Sequence, residues 1–224
     1  MTTNQAHPFN VVLVGLPGSG KGTQGAQFAR RHRIPKISTG DMLRDAVARG
    51  TALGREVAET LASGGLVPDD LIIRVVEERL RDPDTARGFV LDGFPRTLPQ
   101  ATALDALMAD RGALLVIYLD VSPEVILERI LSRRICESCG QADTGAPTSE
   151  YCASCGGGFV KRADDHADVV RRRVAAYVEN TAPLVDWYRK SPLFRTVDGN
   201  RPLGDVALSF DEAIRDCLRE AGAD

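Results

Sequence analysis

Phe9-Asn10-Val11-Val12-Leu13-Val14 runs straight into Gly15-Leu16-Pro17-Gly18-Ser19-Gly20-Lys21-Gly22-Thr23-Gln24, and this junction decides the fold. The first six residues form a short apolar run ending at a Gly-rich turn, the pattern of a strand buried on both faces. The next ten match GxxxxGK, except that Gly22 stands where Ser or Thr usually follows the lysine and Thr23 comes one place later. Glycines let successive backbone N–H groups curl round an anion, and the N-terminus of the following helix adds positive potential. The lysine then reaches the β- and γ-phosphates. Gly18, Ser19, Gly20, Lys21, Gly22 and Thr23 are thus expected to cradle a nucleoside triphosphate, with Thr23 a Mg²⁺ contact. A Gly-rich turn with a solvated lysine is the bland alternative, and the position between a strand and a helix argues against it.

Working outward, short apolar runs recur at Gly88–Leu91, Leu114–Leu119 and Phe194–Val197, separated by helical patterns. Alternating strands and helices imply a parallel sheet covered on both faces. The predicted fold class is therefore α/β, a P-loop NTPase-type parallel sheet flanked by helices. Ser122 suits a helix cap with Pro123 in the first turn before Glu124 to Arg133, and Asp69-Asp70 suits the positive end of a helix running toward Arg81. Two segments break the alternation. Residues 38–67 hold two short helical patterns, and residues 134–162 are Cys- and Gly-rich with little periodicity. Both are read as mobile insertions in a single core domain spanning residues 1–224.

The composition excludes several classes. An apolar share of 43% and a charged share of 26% are those of a globular chain. There is no apolar run of about 18 residues, and no cationic start leading into an apolar stretch, so a cytoplasmic protein is expected. The net charge of −3 supplies no basic field for a nucleic-acid backbone, and phosphate binding must be local. Of the 28 basic residues 24 are Arg, so a lone Arg carries little information. Four of the five cysteines form two CxxC pairs, Cys136/Cys139 and Cys152/Cys155, twelve residues apart. Four thiolates in two Gly-followed knuckles suit tetrahedral Zn²⁺, although the gap is below the usual spacing of about 15–20. With all four positions filled by protein, the zinc is expected to be structural. Cys217, on a terminal helix, reads as a core or surface thiol.

Six segments in order resemble adenylate kinases: GLPGSGKGTQ (15–24), ISTGDMLR (37–44), GGLVPDDLI (64–72), LDGFPRTLPQA (91–101), KRADD (161–165) and VDGNRP (197–202). The resemblance covers about residues 9 to 208. It implies reversible phosphoryl transfer from Mg·ATP to AMP giving two ADP, in nucleotide biosynthesis, by a monomer with no nucleic-acid or membrane partner. Arg44 and Arg96 would clamp the acceptor phosphate, a task that suits the guanidinium fork. Gln100 carries a carboxamide able to pair with an adenine edge. Thr39 stands where similar UMP/CMP kinases typically have Ala. The backbone of Gly65, Leu66 and Val67 and of Gly93, Phe94, Pro95 and Arg96 would line the AMP pocket, which makes 38–67 an AMP-binding insertion and 134–162 a zinc-binding lid. Asp92 would hold a water of the Mg²⁺.

Arg129 and Arg133 are four apart and expected on one helix face. Arg171, Arg172 and Arg173 diverge by about 100° each, so they cannot all reach one site, and the family pattern selects Arg173. Arg162 and the Asp164-Asp165 pair complete the lid hinge. The expected catalytic set is Lys21, Arg96, Arg133, Arg162 and Arg173, and the donor is expected to be held also by Arg129 and the backbone near Arg201. In similar lids the segment between the Cys pairs is longer and carries aromatic residues near the donor adenine. Here Gly140 to Glu150 are small and polar before Tyr151, which implies weaker packing on the donor base. The rival readings are a kinase for another nucleoside monophosphate and a P-loop ATPase with a nucleic-acid-binding zinc knuckle. Thr39 and Gln100 argue against the first. The charge and the lack of aromatics before Tyr151 argue against the second.

Overall fold

In the computed structural model, which describes residues 9–143, 150–162 and 164–221, β1 (Phe9–Val14) is the middle strand of a five-stranded parallel sheet. Its neighbours are β3 (Gly88–Asp92) and β4 (Leu114–Asp120), with β2 (Lys36–Ser38) and β7 (Phe194–Asp198) at the edges, in the order β2-β3-β1-β4-β7. The chain leaves β1 for one side of the sheet and later returns to the other. This creates the topological switch at which ligands of open α/β sheets bind, beyond the carboxyl ends of the strands. Side chains alternate along β1: Val12 and Val14 enter one apolar cluster, Val11 and Leu13 the other. The first cluster is closed by α4 (Asp69–Leu80), α5 (Leu98–Met108) and α8 (Pro183–Tyr188), and the second by α1 (Lys21–His32) and α9 (Leu203–Glu220). Val206, Phe210, Ala213, Ile214 and Cys217 share the buried face of α9, which settles Cys217 as a core thiol.

The expected strands are all present. Nothing in three residues announces β2. Residues 38–67 fold as α2 (Thr39–Ala48) and α3 (Ala52–Ser63), started by Ser38 and Thr51 side chains that accept from Asp41 N–H and Gly54 N–H. The helix that opens after Ser122 is α6 (Pro123–Ser132), one residue shorter than predicted. Arg133 is already extended, with ψ 128°, as the chain turns into β5 (Ile135–Cys136). Arg133 is nevertheless the C-cap, and its extended ψ redirects only the residues after it, so Arg129 and Arg133 line one cleft, as their spacing implies. β5 pairs antiparallel with β6 (Phe159–Val160). Beyond the hinge, α7 (Ala167–Ala176) runs through a π-helical turn (Tyr177–Thr181) into α8. No helix among the described residues is long and apolar enough to cross a membrane.

Candidate active site

The Gly15–Gly20 loop sits at the carboxyl edge of β1, and its shape requires glycine. Gly18 has φ 85°, and a Cβ there would stand 2.6 Å from Ile130 Cγ1. Lys21 Nζ folds back over the loop and donates to Gly15 O (2.7 Å), Leu16 O (2.8 Å) and Ser19 Oγ (3.3 Å). Burial pulls its pKa down to about 8. Asp92 opposes this, while Arg96, Arg173 and Arg133 reinforce it. Arg129 spans the mouth of the loop, donating to Gly199 O (2.8 Å) and Ser19 O (3.5 Å), and so ties the loop to the turn after β7. Arg201 lies at the rim, half exposed, beside Asp205 and Ser209.

A cleft of about 1410 Å³ opens from this loop toward the β5–β6 hairpin, and Gly18 to Thr23, Arg129, Arg133, Arg162, Arg173 and Arg201 line it. A second hollow of about 50 Å³ adjoins it between α2, α3 and the β3–α5 turn. Thr39, Arg44, Gly65, Leu66, Val67, Gly93, Arg96 and Gln100 line this hollow. The Phe94 ring does not reach either space. It is fully buried in the core, while its neighbours Gly93, Pro95 and Arg96 line the cleft, and the Phe94–Pro95 peptide is cis. Thr39 Oγ1 donates to Gly93 O (2.8 Å), while the cap of α2 is Ser38. Gln100 is buried, with Nε2 donating to Asp69 Oδ1 (2.6 Å) and Oε1 accepting from Arg96 N–H (2.7 Å). These partners fix the orientation of the amide and leave one N–H and one lone pair for a ligand.

Between the hollow and the cleft, cations outnumber carboxylates. Asp164 lies 3.3 Å from Arg162, 3.4 Å from Arg173 and 3.6 Å from Arg44. Asp165 accepts two hydrogen bonds from Arg133 and stands 3.5 Å from Arg173. Burial would raise the Asp164 pKa, but Arg162, Arg173, Arg44 and Arg133 outweigh it and hold the carboxyl below the usual range. Arg162 is pulled down to about 10 by burial and then by Arg44 and Arg133, and Arg96 and Arg173 are lowered mainly by burial. Arg162 Nε and Nη2 and Arg173 Nη1 are buried without a hydrogen-bond partner, because the carboxylates within ion-pair range are not aimed at them. Buried guanidinium donors left open in this way are suited to an incoming anion with more oxygens than a carboxylate.

The sequence reading missed three supports of this site. Asp69, taken only as a helix-start charge, orients Gln100 and Thr97. Thr181 in the π-helical turn donates to Arg96 O (2.8 Å). Lys36 lies 3.3 Å from Asp92. Asp69 lies inside the GGLVPDDLI segment and Lys36 just before ISTGDMLR, but neither segment announces the contact, and Thr181 belongs to no motif.

In the lid, the four Sγ atoms of Cys136, Cys139, Cys152 and Cys155 lie within 4.8 Å of one another. Cys136–Cys155 is 3.4 Å and Cys139–Cys152 is 3.7 Å, close to the edge of about 3.8 Å of a tetrahedron with Zn–S bonds of about 2.3 Å. The two knuckles repeat one hydrogen-bond pattern: Cys136 N–H to Gln141 O and Gly140 N–H to Cys136 O, then Cys152 N–H to Gly157 O and Gly156 N–H to Cys152 O. Gly140 and Gly156 close them at φ 69° and 74°. The thiol set fits zinc. Residues 144–149, half of the shortened segment, lie outside the described residues.

A phosphate loop at a sheet switch point, facing an arginine cluster with a second hollow behind it, defines a P-loop phosphotransferase acting between two phosphorylated ligands. The adenylate kinase family model matches residues 13–193. Relatives named adenylate kinase include those of Kosmotoga olearia (48% identical over 198 residues, 86% of this chain and 92% of the relative), Archaeoglobus fulgidus (45% over 204, 88% and 94%) and Moorella thermoacetica (44% over 212, 92% and 98%). The chain belongs to the adenylate kinase family and is a phosphotransferase.

Proposed function

We propose that the cleft holds Mg·ATP, that the hollow holds AMP, and that the γ-phosphoryl group passes between them to give two ADP. The arginine cluster carries this reading, since its open donors lie between the two spaces. Asp164 keeps the place of the acceptor phosphate in the ligand-free protein. When that phosphate arrives, it takes over Arg44, Arg162 and Arg173, and Arg96 closes on it from the β3–α5 turn. Lys21 moves from its loop carbonyls to the β- and γ-phosphates, and Arg133 and Arg173 spread charge over the migrating group. No general base is needed, because the acceptor phosphate is already an anionic nucleophile. Gln100, held by Asp69, reads the adenine edge, and Thr39 narrows the hollow beside it. Residues 38–67 and 134–162 act as closing covers that keep water from the γ-phosphate.

Asp92, Thr23 and the neighbouring Asp41 offer hard oxygen ligands beside the phosphate loop and fit Mg²⁺, directly or through its waters. When bound, that ion neutralises charge on the β- and γ-phosphate oxygens. Zinc in the four-cysteine cluster is structural in this reading, since no position is left for water. We place the protein in the cytoplasm as a monomer, on the sequence grounds given above. The test is direct: protein, Mg·ATP and each nucleoside monophosphate are mixed in turn and the diphosphates quantified. AMP should be the preferred acceptor. Preference for UMP or CMP, or hydrolysis of ATP that needs no acceptor, would refute the assignment.

A further inference from the structure

The carboxyl edge of β2 and β3 holds an ion triad whose ammonium, that of Lys36, has no part in the reaction described above. Lys36 opens β2 opposite Val90, and Asp92 is opposite Ser38, two residues farther along. The lysine stem follows the strand toward the carboxyl edge, an advance of about 6.6 Å for two residues. This brings Nζ 3.3 Å from Asp92 Oδ2 and 3.6 Å from Asp41 Oδ2. The side chain is 19% exposed and borders the nucleotide cleft. A Cβ added at Gly22, the residue after Lys21, would come 3.3 Å from Asp92 Oδ2 and 3.7 Å from Lys36 Nζ. The ammonium therefore lies against the first turn of α1, among the oxygen ligands that suit Mg²⁺.

We propose that Lys36 is the resident counter-cation of the magnesium subsite, pairing with Asp92 and Asp41 in the metal-free protein and yielding those carboxylates when a Mg·nucleotide binds. This rests on the assignment of the cleft to Mg·ATP. An ammonium and a hydrated divalent cation compete for the same carboxylates and repel each other at this range. Lys36 thus lowers the advantage that Mg²⁺ gives to nucleotide binding. In the absence of the metal it has the opposite effect, because it shields the triphosphate from two carboxylates that would otherwise repel it. A lysine suits the task, being a compact charge on a flexible stem that can withdraw.

The test compares the Kd of ATP in excess Mg²⁺ and in Mg²⁺-free buffer without chelator, so that zinc is retained in both, by calorimetry, for the wild-type chain, Lys36→Gln and Lys36→Arg. The quantity read is the ratio of the metal-free Kd to the Mg²⁺ Kd, which cancels any loss of folded fraction because both values come from one protein. In Lys36→Gln the ratio should rise at least about fivefold, the lower end of ordinary coupling between two ligands. Lys36→Arg keeps the charge and should stay within about twofold of wild type, well below that coupling range. An unchanged ratio in Lys36→Gln, or an equal rise in Lys36→Arg, would overturn the proposal and leave Lys36 a strut of the sheet edge. A wild-type chain that binds Mg·ATP normally separates that result from failure of the functional assignment, in which neither form of ATP would bind.

Discussion

Asp164→Asn should destabilise the ligand-free protein by about 3 kcal/mol while enlarging its response to phosphate anions. The carboxylate is 20% exposed and has three guanidinium groups at 3.3 to 3.6 Å. One pair of unit charges at about 4 Å is worth about 4 kcal/mol at an effective dielectric of about 20, and removal of water from the carboxylate offsets part of the sum. Breaking a buried pair from one side typically costs about 3–5 kcal/mol, and the isosteric amide, which still accepts a hydrogen bond, belongs at the low end. At about 2–4 °C per kcal/mol for a chain of this length, the melting temperature falls by about 6–12 °C. The pH dependence follows from the depressed folded-state pKa of Asp164: its stabilisation is present above the ordinary value of 3.8 and is lost as pH falls through the lower folded value. Wild-type and variant melting curves should therefore converge in acid. Differential scanning calorimetry with and without AMP, and with inorganic phosphate, provides the assay. The anion fills the place that Asp164 holds, so the gain in stability on binding is larger in the variant. A variant that melts with wild type at neutral pH, or that gains less from AMP than wild type does, would refute this account of the cluster.

Lys21→Ala and Arg96→Ala should each lower kcat by the equivalent of about 3–4 kcal/mol with the melting transition intact, and near-normal turnover in either would remove that residue from the mechanism. In the wild-type chain kcat/KM for ATP should fall as pH rises through about 8, where Lys21 loses its proton, whereas kcat holds to higher pH because bound phosphates keep the ammonium charged. Parallel profiles for the two parameters would contradict this. Cys136→Ser should release zinc and lower the melting temperature without abolishing phosphotransfer. Metal analysis alongside turnover checks it, and complete loss of activity with an unchanged melting transition would point to a catalytic metal. Donor choice should be looser than acceptor choice, because the sequence from Gly140 to Glu150 carries no aromatic side chain for a stacking contact worth roughly 1–3 kcal/mol. The comparison is kcat/KM for ATP and GTP with AMP fixed, then for AMP, GMP and CMP with ATP fixed, and equal or greater donor discrimination would show that the lid still reads the base.

The central sheet was legible because its inner strands β1, β3 and β4 are covered on both faces and so largely apolar. The phosphate loop was legible because cradling an anion with backbone N–H groups needs glycines at set intervals. The same logic exposed the thiol cluster, whose knuckles need cysteine and glycine at fixed spacing. What escaped were contacts made by ordinary residues brought together only by the fold. Asp69 meets Gln100 across 31 positions and Thr181 meets Arg96 across 85, and neither separation leaves a local pattern. Phe94 lies inside a motif and would be mistaken for a ligand contact on that ground, although its ring serves the core.

The π-helical turn at Tyr177–Thr181 holds about one residue more than an α-helical turn would, and this decides where a length change in the stretch can be absorbed. Its wider turn joins α7 to α8 and aims the Thr181 hydroxyl at Arg96 O. Deleting one residue inside it would restore a regular α-helix with α8 nearly in its present register. Leu184 and Tyr188 would then keep their core positions, while the hydroxyl would lose its aim at the Arg96 carbonyl. Deleting one residue from α7 instead would turn the two sides of the helix by about 100° against each other. The π turn is thus the one place in this stretch where a residue can be lost without repacking α8.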